Sequence, residues 1–303
     1  MKLLLICLLL AGCVSAKTNK IYSHSAIEAT AETYKELMPG VSNANGFVDY
    51  NHCDSLLFTS LANVGGHTAN LKAAKKGGQW YRRDSHSCYR DGNSKSTISR
   101  DMLTGVALAS YSAREPRVFE HLIDYGIANN FVMGQGEKSR TFMTPQLTGL
   151  IARAGIASGS TKINPALSKI PYAYSLGKNT GYQAHLEALA ILLDGDIAGK
   201  LGPLAMHTVK AYYKREPENA LFNWLFHKYT DGDFAEVYDI LLDRKHWPRY
   251  RLPTSGEHCE FWLWQRTANN NDWKPCPAEG HTHSGGDYLF IYSLLKRGGL
   301  RER

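Results

Sequence analysis

The sequence predicts an all-α protein, an α/α toroid of helical hairpins whose circle is complete or incomplete. Three observations carry this expectation. Apolar residues recur at helical spacing in segment after segment, while strand-like alternation is confined to CEFWLWQR (259–266), a short irregular or β-like stretch. Helix start and stop signals follow one another closely along the chain. The helices are also of two kinds. Residues 118–127 carry one apolar stripe (Val118, Phe119, Leu122, Ile123, Ile127), as a helix lying on the outside of a core does. Residues 102–111, 186–193 and 288–295 are apolar nearly all round, the mark of a helix buried on every side. Buried helices alternating with one-faced helices make an inner and an outer ring. A less regular helical bundle is the structural alternative.

Each element has its own signal. Ser25 and Glu28 have capping-box spacing and open a helix that Met38-Pro39-Gly40 ends. CDSLLFTSLANVGG (53–66) reads as a short helix with a glycine stop, and STISRDMLTGVALASYS (96–112) as a longer one. Glu115-Pro116 and Thr144-Pro145 open two more, with proline at its favoured first turn. Helices follow in 180–196, 202–214, 216–229 and 233–245. The last is GHTHSGGDYLFIYSLLKRGG (280–299), where Ser284 and Asp287 again have capping-box spacing. Arg114-Glu115-Pro116 and Arg215-Glu216-Pro217 each lie between two helices and echo one another, as a repeated hairpin or as chance.

The chain has 303 residues, enough for one large core, and residues 17–303 read as a single helical domain. Its 35 Lys+Arg exceed its 28 Asp+Glu, a net charge of +7 that favours anionic partners weakly. No dense basic run supports nucleic-acid binding, and LKRGGLRER at the C-terminus reads as a solvated tail.

MKLLLICLLLAGCVSAK begins with one cation and a short apolar run, too short for a membrane span of about 20 residues but shaped like a secretory signal. Residues 1–16 are read as that signal. Leu10-Ala11-Gly12-Cys13 resembles a bacterial lipobox, and Val14-Ser15-Ala16 an ordinary signal-peptidase site. The lipobox reading is favoured. It implies a lipidated Cys13 that anchors the protein, and Val14 after it implies outer-membrane sorting. Ordinary cleavage would leave the protein periplasmic or secreted. Four cysteines remain, Cys53, Cys88, Cys259 and Cys276, and export favours two disulfides among them. Of three pairings, sequence proximity favours Cys53–Cys88 and Cys259–Cys276.

The three all-round-apolar helices begin with polar or ionisable residues: Arg100 and Asp101; Tyr182, His185 and Glu187; His281, His283 and Asp287. In a toroid these starts meet at one mouth, where helix dipoles favour anionic groups. SKSTISRDMLTGVALA, with Trp80-Tyr81-Arg82-Arg83 upstream, resembles the secreted α/α-toroid carbohydrate-active proteins, the glycosidases and polysaccharide lyases. The resemblance covers most of the chain after the signal. It implies a cleft lined by aromatic and charged residues that works on a glycan. No cofactor is expected.

A glycosidase needs two carboxyl groups across the scissile bond. Asp101, Glu187 and Asp287 are the candidates. A lyase needs a base and a cation facing a uronate, for which His185, Tyr182, Arg100 and Arg83 serve. Trp262 and Trp264, with Trp247 and Trp273, form a stacking platform or simply pack a disulfide-closed segment. Each carboxylate also has a plain structural role open to it. Asp101 can pair with Arg82 or Arg83, Glu187 can face outward, and Asp287 can cap its helix. His258, Cys259, Cys276, His281 and His283 could hold zinc, but their spacing matches no strong zinc signature, and no metal is expected. The expected partner is a glycan, acidic in one reading. A non-catalytic envelope lipoprotein and, behind it, a zinc hydrolase are the competing functions.

Overall fold

The helix boundaries fall within a few residues of the punctuation that marks them. The computed structural model describes residues 24–48, 53–86, 88–90, 94–136, 138–243 and 285–301. The helices are α1 (His24–Leu37), α2 (Ser55–Val64), α3 (Arg100–Ser112), α4 (Pro116–Ala128), α5 (Pro145–Ala157), α6 (Pro165–Ser168), α7 (Gly181–Ala198), α8 (Pro203–Arg215), α9 (Ala220–Lys228), α10 (Ala235–Leu242) and α11 (Gly286–Arg297). Proline opens α4, α5, α6 and α8, where its missing N–H costs nothing. The Thr144 hydroxyl accepts from Leu147 N at 3.4 Å, and the Asn219 side chain accepts from Leu221 N at 3.1 Å, so each caps its helix.

The two capping-box readings place the helix starts differently from the structure. α1 begins at His24, which places Ser25 inside the helix and not at its cap. α11 is preceded by Gly285, not by Ser284, which lies outside the described residues. Gly285 has φ +63, and a Cβ there would lie 2.1 Å from the Tyr34 ring. Backbone handedness and the approach of α1 both demand glycine.

Three two-stranded antiparallel ladders were not expected: β1 (Lys75–Lys76) with β2 (Gln79–Trp80), β3 (Tyr89–Arg90) with β4 (Ser94–Lys95), and β5 (Val132–Gln135) with β6 (Arg140–Phe142). Strands of two to four residues are too short to show alternation. The turn signal was present in one: Gly77 and Gly78, at φ +59 and +85, close the β1–β2 hairpin. The expected β-like segment 259–266 lies outside the described residues.

Helix pairing organises the core. α2 packs on α3, α3 on α5 and α7, α5 on α7, α7 on α9, α9 on α11, and α11 back on α2. These helices are buried along most of their length, as the all-round-apolar segments of α3, α7 and α11 predict. α1, α4, α8 and α10 bury one face each and lie against this set. On α4, Val118, Phe119, Leu122 and Ile123 are buried, but Ile127, in the last turn, is 57% exposed. The Arg-Glu-Pro echo does not mark equivalent hairpins. Its first copy leads from buried α3 to one-faced α4, and its second from one-faced α8 to buried α9.

The C-terminal segment is not a solvated tail. Leu300 is fully buried. Arg297 donates to Val64 O at 2.6 Å, and Arg301 donates to Tyr111 O at 2.5 Å and to Ala157 O at 3.0 Å. Leu300 N donates to the Asp196 carboxylate at 3.3 Å. The last turns of α2, α3, α5 and α7 therefore meet at one end, which makes these helices parallel and gathers their N-termini at the other.

Candidate active site

At that opposite end, the first turns of α3, α5 and α7 line a cavity of about 360 Å³. α3 contributes Arg100, Asp101 and Thr104; α5 and its cap contribute Thr144, Gln146 and Leu147; α7 contributes Gln183, Leu186 and Glu187. The fourth wall is the irregular connection before α7, with Tyr172, Tyr174, Ser175 and Asn179. Two of the three carboxylates read from the sequence, Asp101 and Glu187, thus share one polar cavity, with Arg100 at its exposed rim.

Asp101 is half-buried and has no ion-pair partner within 4 Å among the described residues. The cation expected to neutralise it is committed elsewhere: Arg82, 4% exposed, donates to Asp54 at 2.7 Å and to Ser96 at 2.8 Å. Burial, and then the negative charge of Asp54, push the Asp101 carboxyl up to about 6, against the pull of Arg82 and Arg100. The result is a carboxyl group that holds its proton into the weakly acidic range.

Glu187 is held by hydrogen bonds on both oxygens. It is 6% exposed, so the outward position open to it in sequence does not occur. Its Oε1 accepts from Ser175 N at 2.5 Å. Its Oε2 accepts from Ser175 Oγ at 2.5 Å, from Asn179 Nδ2 at 2.9 Å and from the Tyr212 hydroxyl. All four groups donate, the pattern of an acceptor-only carboxylate, and three of the four bonds fall on Oε2. Burial first and then this bond hold the Tyr212 hydroxyl far above its usual range.

The connection before α7 is fastened from both sides. Arg215 donates to Gly177 O at 2.9 Å and to Asn179 O at 2.5 Å. Tyr174 donates to Asp194 at 2.7 Å, and Arg153 joins Asp194 at 2.8 Å and Ile170 O at 2.6 Å. Tyr172 stands in the electrostatic field of Glu187, Arg100 and Asp101, and its hydroxyl is pushed up to about 12 by burial and then by Glu187.

The other candidates are placed elsewhere. His185 does not line the cavity. It is 1% exposed, its ring stacks on Phe222 at 4.9 Å between centroids, and burial drives it down to about 3. It is a core histidine, neutral at ordinary pH. Asp287 is 5% exposed on α11, accepts from Tyr288 N at 2.9 Å and does not line the cavity. Tyr182 and Arg83 do not line it either. Cys53 and Cys88 form a disulfide with Cα atoms 5.5 Å apart. It closes the segment that carries Asp54 and Arg82. Cys13, Cys259, Cys276, Trp262, Trp264, His281 and His283 lie outside the described residues. Among the described residues no group of three His, Cys, Asp or Glu side chains is placed to hold a metal ion.

Asp54, Tyr172, Tyr174, Ser175 and Tyr212 had no signal in the sequence that tied them to a site. Their roles come from tertiary approach alone. No family model, no curated protein and no solved structure matches the chain.

Proposed function

We propose that the chain is an exported, lipid-anchored glycan-cleaving enzyme that works by acid–base chemistry in this cavity. The observation that carries the reading is the pairing of a proton-retaining Asp101 with an acceptor-only Glu187 on neighbouring helix starts. Glycoside hydrolysis needs that asymmetry, one carboxyl as acid and one carboxylate as base or nucleophile. Asp101 donates its proton to the leaving glycosidic oxygen. Glu187 acts through Oε1, which carries one hydrogen bond and keeps a lone pair, while Oε2 is held by the protein. Arg100 and the tyrosines of the cavity bind sugar hydroxyl or carboxylate groups.

The polysaccharide-lyase reading has less support: of its two candidate bases, His185 is stacked on Phe222 in the core, and Tyr182 does not line the cavity. The circuit of buried helices with one-faced helices around it supports an α/α toroid whose mouth is the cavity. The Cys53–Cys88 disulfide supports an oxidising compartment outside the cytoplasm. Lipidation at Cys13 is checked by palmitate labelling, which a Cys13→Ser chain should lose.

The deciding experiment is turnover of purified protein on acidic and neutral glycans, peptidoglycan included. Asp101→Asn should lower kcat at least a hundredfold, a usual size for loss of a general acid. The wild-type rate should fall on the alkaline side with an apparent pKa near 6. Glycan binding without turnover, unchanged by Asp101→Asn, would establish a non-catalytic binding protein instead.

A further inference from the structure

Away from this cavity, the β1–β2 hairpin and the start of α4 enclose an open cavity of about 620 Å³. Lys72, Lys75, Arg114, Arg117 and His121 line it, and among the described residues Glu115 is the only carboxylate there. Among the described residues none of these five basic side chains has a carboxylate within 4 Å. The cluster comes from two local devices. In the hairpin register Lys75 lies directly opposite Trp80, so a cation and an indole share one site. On α4, Arg117 and His121 are four residues apart and therefore on one face. Arg114, just before, sits at φ +55, a left-handed conformation rare for a side-chain-bearing residue.

A fold that gathers like charges without neutralising them carries a repulsion that a bound anion removes. Lys75 registers it: burial, and then the charge of Lys72, pull its ammonium below the ordinary value. A second, independent feature points the same way. Trp80 is 4% exposed, and among the described residues its Nε1–H meets no acceptor. A buried indole N–H without a partner is costly and calls for an acceptor from outside the chain. The dipole of α4 adds positive potential at its first turn.

We propose that this cavity binds a phosphate- or sulfate-type oxyanion carried on a small soluble molecule. The oxyanion sits between Lys75 and Arg117, and Trp80 Nε1, which the chain covers in this structure, turns to donate to it on binding. Its organic body extends toward an adjoining cavity of about 450 Å³, which shares Lys72, Trp80, Glu115 and Val118. The volume suits a small ligand. The cations surround one cavity and do not run as a stripe, which separates it from a nucleic-acid track.

The test is calorimetric titration of the full chain with pyrophosphate and with inorganic sulfate, at low and high salt. Saturable binding that weakens about tenfold or more in Lys75→Gln/Arg117→Gln is expected, the loss of two charge-assisted contacts. Trp80→Phe keeps a ring and removes the N–H, and should weaken binding severalfold. Lys210→Gln, an exposed lysine elsewhere, should leave it unchanged. Melting curves of each variant separate lost contacts from lost folding. No binding by the wild type at low salt overturns the proposal, as does binding that ignores the Lys75/Arg117 change. Binding to anionic vesicles or single-stranded DNA through these residues, with none to pyrophosphate or sulfate, overturns it too.

Discussion

Asp101 occupies a position in which its negative charge costs the fold stability. Burial and Asp54 raise its carboxyl from 3.8 to about 6, so the folded chain holds the proton more tightly than the unfolded chain. Below about pH 3.8 both states are protonated and there is no penalty. Between 3.8 and 6 the penalty grows, and above 6 it is constant. Discounted for partial exposure, it comes to about 1–3 kcal/mol. Asp101→Asn should therefore raise the melting temperature near about pH 7.5 and leave it almost unchanged near about pH 4. Thermal melts at the two values check this. An Asn variant that melts like the wild type at both would mean that Asp101 is not strained, and its assignment as an acid would lose its support. A gain in stability bought with lost activity is the usual signature of a site built for chemistry.

At the scale of elements, the connection from 171 to 180 decides the geometry of the cavity. It has no regular hydrogen bonding of its own, and its shape is imposed by Arg215 on Gly177 and Asn179 and by Asp194, itself held by Arg153, on Tyr174. Gly177 allows the closest approach. Its φ is +79, and a Cβ there would lie 2.3 Å from Ala211 Cβ on α8. Gly177→Ala should push the connection off α8 and pull Ser175 and Asn179 away from Glu187. A loss of about 2–4 kcal/mol is expected from strain and broken hydrogen bonds together, read by denaturant unfolding. Any glycan turnover should fall with it. The starts of α3 and α7 were legible in sequence because apolar periodicity and polar first turns are local signals. The connection was not, because Ser175 and Asn179 acquire their roles only when α8 brings Tyr212 and Arg215 alongside. The short ladders escaped for a different reason, since two residues cannot display a period of two. His185 was read as a base from its place near a helix start, but helical phase turns it into the core against Phe222.

For the whole molecule, the parallel buried helices face two electrostatic problems, one at each end. At the N-terminal end their positive dipole ends favour an anion, and Asp101 and Glu187 lie there, although for Asp101 burial and the charge of Asp54 outweigh that pull. At the C-terminal end their last carbonyls need donors. The final residues supply them. Arg301 stacks on the Tyr111 ring at 3.4 Å and reaches Tyr111 O, Ala157 O and Ser158 Oγ, so one side chain joins the ends of α3 and α5. Arg297 joins α2 to α3 through Val64 O and Ser112 Oγ. A charge run reads as solvated because composition alone cannot show carbonyl ends converging on it. Arg301→Ala should cost about 2–4 kcal/mol, the loss of a cation–π contact and several charge-assisted hydrogen bonds to groups left unsatisfied. For a chain of this size that lowers the melting temperature by several degrees. Arg301→Lys keeps the charge but not the fork, and should recover less than half of the loss. A solvated tail predicts no change in either variant, so the two melting curves distinguish a C-terminal clasp from an ornament.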